Sequence, residues 1–149
     1  MRVRKILMSR GAAMESLGTH VIAELFNCDA YVIDDLKKVK EVFMAAAELS
    51  RATIIKPFFH KFSPYGVSGV IVIAESHFTI HTWPEHGYAA VDIFTCGDLN
   101  WQDALEHIKT ELKSERCSIF EMQRGLLPDH TIIKQSGVFK EVENAGCIE

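Results

Sequence analysis

The spacing of hydrophobic and polar positions predicts a chain that alternates between strands and helices. Alternation and β-branched runs predict strands over residues 19–26, 53–56, 58–62, 67–74, 77–83, 88–95 and 117–123. Helical spacing predicts one helix that begins near Asp34 as N-cap and ends near residue 50, and a second over 100–113 capped by Asn100. This order predicts an α+β fold, with helices on one face of a largely antiparallel sheet.

Composition and charge exclude several classes of protein. Apolar residues make up 48% of the 149 residues and the formal net charge is -4, which argues for a globular domain and against a nucleic-acid-binding surface. The longest apolar run, 67–74, is too short to span a membrane, so no membrane partner is expected. Cys28, Cys96, Cys117 and Cys147 are widely spaced and are expected to be free thiols.

The N-terminal segment is basic and only briefly apolar. The run Ile6-Leu7-Met8 is shorter than the hydrophobic region of a signal peptide, and the charged residue Arg10 keeps it from growing longer. We therefore expect a flexible or loosely docked leader and a cytoplasmic protein.

One predicted strand has an unusual second face. Its alternation puts Phe78, Ile80 and Thr82 on one side, where they can pack under the helices. The other side carries a mixed polar and aromatic row: His77, Thr79, His81, Trp83 and Glu85. A solvated outer face is one interpretation of this row. The other is a functional site between two sheets that stack when the chain dimerises.

The histidines His77, His81 and His86 also raise the question of a metal site. On a strand, His77 and His81 lie about 13 Å apart at roughly 3.3 Å per residue, too far to share one ion. We therefore predict no metal at this position.

The stretch GVSGVIVIAESHFTIHTWPEHGYAAVDIFTCGD, residues 66–98, closely resembles the core of the prokaryotic S-adenosylmethionine decarboxylase proenzyme family. The runs ESHFTIHTWPE and DIFTCG carry the resemblance, and a weaker likeness extends over residues 18–128. The resemblance thus implies a decarboxylase domain over 18–128, a leader over 1–17 and a C-terminal tail over 129–149. It also implies a two-layer α/β sandwich whose sheets stack in a homodimer.

By this resemblance, the chain makes its own cofactor. Cleavage between Glu75 and Ser76 would convert Ser76 into a pyruvoyl group, which binds the substrate amine as a Schiff base. Serine suits this chemistry because its hydroxyl can attack the neighbouring carbonyl and later leave by β-elimination. A turn at Ser76 could strain the bond toward attack.

The resemblance assigns three further catalytic roles. His81 corresponds to the family's processing histidine, and an imidazole can take the proton whose loss drives the elimination. Ser68 corresponds to a serine that contacts the processing intermediate or the pyruvoyl carbonyl. Cys96 corresponds to the cysteine that donates a proton to the substrate carbanion.

The expected substrate is S-adenosylmethionine, which carries a sulfonium, a purine and a ribose. Phe62 and Trp83 correspond to the family's aromatic pair, and aromatic faces attract a sulfonium and stack on a purine. Glu85 corresponds to the carboxylate that accepts hydrogen bonds from the ribose hydroxyls. The predicted activity is therefore decarboxylation of S-adenosylmethionine to the aminopropyl donor for spermidine synthesis.

Two alternatives remain open on the sequence. The first is a pyruvoyl-dependent arginine decarboxylase of the same fold, which would not need the purine and ribose contacts. The second is an unprocessed regulatory paralogue, which would be free to lose Ser76, His81 and Cys96.

Overall fold

The computed structural model describes residues 4–7, 13–125 and 140–142 of the chain. Its strands are β1 (Arg4–Leu7), β2 (Ala13–Ser16), β3 (Gly18–Phe26), β4 (Thr53–Lys61), β5 (Val67–Ala74), β6 (Ser76–Trp83), β7 (Tyr88–Thr95), β8 (Arg116–Arg124) and β9 (Lys140–Val142). Its helices are α1 (Ala30–Asp34), α2 (Leu36–Leu49) and α3 (Trp101–Glu111), and a short 3-10 helix spans Pro84–His86.

Seven of these strands form one antiparallel sheet, and the helices cover one of its faces. The strand order is β4-β5-β6-β7-β3-β8-β9, while β1 and β2 pair with each other. The hairpins β4–β5–β6–β7 follow chain order, and β3 inserts between β7 and β8. The predicted α+β fold with a mainly antiparallel sheet is confirmed.

The core lies between the helices and the covered face of the sheet. Its largest fully buried side chains come from both layers: Phe43, Phe78, Leu25, Ile33, Ile71, Ile73, Ile80, Ile93, Leu105, Ile108, Leu112 and Val21. Each such side chain contributes on the order of 1.5–3 kcal/mol by leaving water. None of the helices in the described ranges has the length and apolarity that a membrane crossing requires.

Strands β4 and β5 pack closely because Gly69 has no side chain. Gly69 pairs with Phe59, and a Cβ atom added to Gly69 would lie 2.2 Å from the Phe59 ring. The ring is thereby free to pack edge-on against Phe43 of α2, at 6.4 Å between centroids. This contact ties the edge of the sheet to the helical layer.

The predicted start of the first long helix is wrong by one residue, and the prediction also misses a short helix that precedes it. Asp35, not Asp34, is the N-cap of α2, and its carboxylate accepts from the N–H groups of Lys37 and Lys38. Asp34 ends the short helix α1, which the sequence pattern does not predict and which Asp29 caps. Two adjacent aspartates offer the same capping chemistry, so only the tertiary contacts of Asp34 decide between them.

The two extended segments predicted around Pro57 form one strand, β4. The pairing register shifts between Ile54 and Lys56, so the strand bends just before the proline. Strand β4 lies at the edge of the sheet, where a proline without a backbone N–H is tolerated.

Three short strands lie in the ranges predicted as leader and tail. Strands β1 and β2 pair with each other within the predicted leader, and β9 pairs with β8 through Ile119 and Val142. The prediction of an irregular chain after residue 126 is therefore wrong at β9. Strands of three or four residues are too short to show a readable alternation. Most of the leader and tail, including Cys147, lies outside the described residues.

Candidate active site

The uncovered face of the sheet carries the polar row predicted on β6. Phe78 and Ile80 are fully buried on the helix side, and Thr82 is 6% exposed. On the opposite side His81 is exposed and Trp83 is 40% exposed. The predicted division of this strand into two faces is confirmed, although Glu85 lies in the 3-10 helix rather than in the strand.

The predicted cleavage site is the shortest connection in the sheet. Glu75 alone separates β5 from β6, and Ser76 has a φ of 131°. A serine in this region of φ is strained by about 1–3 kcal/mol, because its Cβ crowds the backbone. The strain lies next to the bond between Glu75 and Ser76, as the sequence predicted.

Cys96 lies beside the same bond. It follows the last residue of β7, Thr95, which pairs with Ser76 across the ladder. The Cys96 backbone N–H donates a hydrogen bond of 3.4 Å to the Glu75 carbonyl oxygen. This carbonyl is the group that a serine hydroxyl at position 76 would attack.

The other predicted site residues line a cavity at the opposite end of β6. Its volume is about 330 Å³, within the range of small-molecule sites. Its lining comprises the predicted substrate and processing residues together with two others: Phe62, Tyr65, Ser68, His81, Thr82, Trp83 and Glu85. The sequence pattern does not predict Tyr65 as a site residue, because Pro64-Tyr65-Gly66 is typical of a turn. The one signal that could have identified Tyr65 is the presence of a large aromatic residue in an exposed turn.

Ser68 and His81 form a hydrogen-bonded pair inside this cavity. They face each other across the β5–β6 ladder, and Ser68 Oγ lies 2.6 Å from His81 Nδ1. When Ser68 donates to Nδ1, the proton of the neutral ring sits on Nε2; when Nδ1 carries the proton, Nε2 is free to act as a base. The pairing therefore fixes the ring and links its tautomer to the serine.

A chain of aromatic rings supports Trp83. Its indole lies 6.3 Å from the His81 ring and 5.3 Å from the Tyr88 ring, measured between centroids. The Tyr88 hydroxyl donates to the Glu24 carboxylate, and burial together with that carboxylate raises the pKa of Tyr88 to about 12. Tyr88 thus stays neutral and holds the indole face toward the cavity.

The structure separates the predicted site residues into two groups. Ser76 pairs with Ile73 near the hairpin turn, whereas His81 pairs with Ser68 at the far end. The five residue steps from Ser76 to His81 span about 16 Å at roughly 3.3 Å per residue. His81 therefore cannot reach Ser76 of its own chain by hydrogen bonding.

A polar cluster that the sequence analysis missed lies between the two groups. His20 Nε2 is 2.9 Å from Asp92 Oδ1, and Thr79 donates to the other carboxylate oxygen at 3.2 Å. His77 stacks near Phe94, and burial, followed by the positive charge of His20, lowers the His77 pKa. These residues fall at alternating positions of the uncovered face, but their contacts arise only from the β3–β7 and β6–β7 pairings.

Three cysteines lie in the described part of the chain, and they differ in their surroundings. Cys28 is buried and Cys117 is half-buried, and burial raises the pKa of both thiols, that of Cys117 to about 11. Cys96 is half-buried, and all three are free. Within the same part of the chain, no group of three or more metal-binding side chains comes together.

Comparison with known proteins identifies the family and supports the fold. The sequence profile described as S-adenosylmethionine decarboxylase matches residues 19–125. The S-adenosylmethionine decarboxylase proenzyme of Thermotoga maritima is 52% identical over 113 residues, which cover 75% of this chain and 87% of that protein. The proenzyme of Pelotomaculum thermopropionicum is 48% identical over 123 residues, which cover 82% of this chain and 97% of that protein.

A solved structure agrees with these sequence matches. The crystal structure of the adenosylmethionine decarboxylase from Aquifex aeolicus matches with a TM-score of 0.71 and 36% sequence identity, over 79% of this chain and 98% of that one. The profile match contains both the strained bond and the cavity. The chain therefore belongs to the S-adenosylmethionine decarboxylase family.

Proposed function

We propose that this chain cleaves itself between Glu75 and Ser76, converts Ser76 into a pyruvoyl group and uses that group to decarboxylate S-adenosylmethionine. The observation that carries the proposal is the geometry of the cleavage site. Ser76 is strained at φ 131°, and the carbonyl that must be attacked accepts a hydrogen bond from the Cys96 N–H. The family's relatives are named proenzymes, which agrees with a chain that must be processed.

The residues present can carry the processing chemistry. The Ser76 hydroxyl oxygen attacks the Glu75 carbonyl carbon, and the C–N bond between the residues breaks as a C–O ester bond forms. The Cys96 N–H is placed to stabilise the negative charge that develops on the Glu75 oxygen. Loss of the Ser76 α proton then expels the Glu75 carboxylate, and hydrolysis of the remaining dehydroalanine releases ammonia.

The base for the elimination comes from a second chain. His81 lies about 16 Å along β6 from Ser76 of its own chain, beyond its reach. In the proposed dimer, two sheets stack face to face around a two-fold axis that lies between them and runs perpendicular to the strands near Thr79. This axis makes β6 of the partner subunit run in the opposite direction to β6 of the first subunit. It brings His81 of the partner subunit over Ser76.

The uncovered face is suited to such stacking. Phe58 and Val72 are 62% and 41% exposed on it, which is costly for a solvent-facing surface. The same axis places the cavity of one subunit opposite the cleavage site of the other. We therefore propose a homodimer with two composite sites.

The cavity binds the nucleoside part of the substrate. Phe62 and Trp83 offer aromatic faces to the purine and the sulfonium, and both are about half exposed and open to a ligand. The Glu85 carboxylate lines the same cavity and can accept from both ribose hydroxyls. Arginine has no purine or ribose, so bound arginine would leave the aromatic side chains and the Glu85 carboxylate of the cavity without contacts.

Cys96 is the proton donor after carbon dioxide has left. The pyruvoyl group supplies an electron sink, as pyridoxal phosphate does in other decarboxylases. The Cys96 backbone lies next to the Glu75–Ser76 bond, which supports this role for its thiol. Ser68 and His81 belong to the other group and act in processing and in contact with the pyruvoyl carbonyl.

The test is release of carbon dioxide from labelled substrates by the purified chain. We expect release from S-adenosylmethionine and none above background from arginine. Phe62→Ala is expected to raise KM for S-adenosylmethionine at least about tenfold, by the loss of a stacking contact. Release from arginine alone, or from neither substrate by fully cleaved protein, would refute the proposed substrate.

A further inference from the structure

The connection between β4 and β5, residues 62–66, carries two of the aromatic side chains that line the cavity; we call it the aromatic loop. Phe62 and Tyr65 are 47% and 60% exposed. One backbone hydrogen bond closes the loop, from the Phe62 N–H to the Gly66 carbonyl at 2.8 Å. An exposed loop held only in this way would lose much of its preferred geometry to thermal motion.

A single carboxylate from the helical layer joins both ends of the aromatic loop. Asp34 Oδ1 accepts from the Gly66 N–H at 2.8 Å and from the Lys61 ammonium, which precedes Phe62. Asp34 itself ends helix α1 and is absent from the cavity lining. It therefore touches the loop from behind without reaching a ligand.

A second contact links the same helix to the strand beneath the cavity. The Thr82 hydroxyl donates to the Ile33 carbonyl at 2.9 Å and accepts from the Val67 N–H at 2.8 Å. Thr82 lies between His81 and Trp83 on β6. Helix α1 is thus bonded to both the loop and the strand that together form the cavity.

Gly66 is the point at which this arrangement is most constrained. Its φ is 102°, and a Cβ atom there would lie 2.8 Å from the Thr82 carbonyl oxygen. Only glycine can bring its N–H to Asp34 in this conformation. The hydrogen bonds from Gly66 and Lys61 also lower the pKa of Asp34, so the carboxylate is charged at neutral pH and its bonds are charge-assisted.

We propose that Asp34 is a positioning residue for nucleoside recognition, which holds Phe62 and Tyr65 at the spacing that the purine requires. This inference rests on the proposed function, in which the cavity binds the adenosyl group. It adds that Tyr65 contributes a third aromatic face to the cavity. Recognition of the substrate therefore depends on a residue outside the cavity.

The test compares Asp34→Ala with Asp35→Ala in fully processed enzyme. Both substitutions remove a carboxylate that accepts two hydrogen bonds, but Asp35 caps α2 and does not touch the loop. We expect Asp34→Ala to raise KM for S-adenosylmethionine about tenfold, with kcat within about twofold and complete self-cleavage. Asp35→Ala should leave KM unchanged.

Asp34→Asn is the second variant, because it keeps the size of the side chain and an oxygen for the Gly66 N–H. Since it loses only the charge, its KM should lie between the wild-type and Asp34→Ala values. Unchanged KM in both Asp34 variants, equal effects of Asp34→Ala and Asp35→Ala, or a fall in kcat alone would overturn the inference. Phe62→Ala separates the two proposals: if it raises KM and the Asp34 variants do not, only the role of Asp34 fails.

Discussion

The two ends of the β5–β6 hairpin are built in opposite ways. At the turn end, a single residue joins the strands, Ser76 is strained, and the Glu75 carbonyl is held by a backbone N–H. At the open end, the backbone is regular and side chains supply the contacts, with Ser68 bonded to His81 and Thr82 bonded to helix α1. In the proposed function, the turn end is the site of cleavage and the open end binds the substrate.

Under the proposed function, this difference in structure separates the formation of the cofactor from the recognition of the substrate. The strained connection at Ser76 needs rigid strands on both sides to hold its conformation. The aromatic cavity at the open end needs side chains that are exposed to a ligand. Five residues of strand keep the two requirements apart, at a distance of about 16 Å. In the proposed homodimer, a second subunit brings the halves together, and assembly is therefore a condition for activity.

The largest effect should come from two variants, each of which inactivates one end of the hairpin, and from combining these variants in one dimer. Ser76→Ala lacks the nucleophile and His81→Ala lacks the base, so each should remain full-length and inactive, the second as an ester that hydroxylamine cleaves. Co-expressed, they form mixed dimers in which His81 of the Ser76→Ala chain serves Ser76 of the other. A denaturing gel should then show cleavage of the His81→Ala chain only.

Ser118→Ala, on β8 and away from both ends, is the matched serine control and should be cleaved normally. Absence of cleavage in the mixed dimers, together with cleavage in the control, would contradict the composite site. Cleavage of His81→Ala alone would contradict the role of His81.

A smaller effect should come from Cys96 at the turn end. Cys96→Ala keeps the backbone N–H, so self-cleavage should proceed. Turnover should fall by roughly 10² to 10⁴, the usual contribution of a positioned general acid. Cys117→Ala is the control, because burial raises the pKa of that thiol to about 11 and turnover should not change. Equal turnover in the two variants would remove Cys96 from the reaction.

Regular strands and their faces could be predicted from the sequence. Strands β5 and β7 have the predicted bounds, because buried β-branched runs end at clear turn signals. The period of β6 correctly places His77, Thr79, His81 and Trp83 on the uncovered face. The division of the site residues into two groups is also readable from the five-residue spacing, by the same arithmetic that excludes a metal between His77 and His81.

Other features could not be predicted because they depend on contacts distant in sequence. Asp34 and Asp35 are equivalent as caps until Gly66 and Lys61 are placed beside Asp34. Tyr65 has no periodic neighbours, so its position toward the cavity follows from the folded loop. The polar cluster of His20 and Asp92 requires the β3–β7 pairing.

The smallest effect is a change in how folding stability depends on pH. It involves His77, on the uncovered face of the sheet between the two ends of the hairpin. The His77 pKa is lowered by burial and by the positive charges of His20 and Arg124, against the opposing charge of Asp92. The unfolded chain therefore binds more protons than the folded one below about pH 6.5, and stability should fall as pH falls through that value.

In the uncleaved Ser76→Ala background, His77→Gln should flatten the dependence of Tm on pH between about 7.5 and 5.5. His86→Gln is the control, because His86 is exposed in the 3-10 helix and should leave the slope unchanged. The same slope in all three proteins would show that His77 does not titrate differently in the folded state.

The central claim, that Ser76 becomes a pyruvoyl group, is tested most directly by the intact mass of the purified full-length chain. We predict two polypeptides, one ending at Glu75 and one lighter by a molecule of ammonia than a fragment that begins with intact Ser76. Ser76→Ala, prepared in parallel, should give one uncleaved mass. A single full-length mass in protein that decarboxylates S-adenosylmethionine, or a second fragment that keeps the Ser76 amine, would contradict the claim.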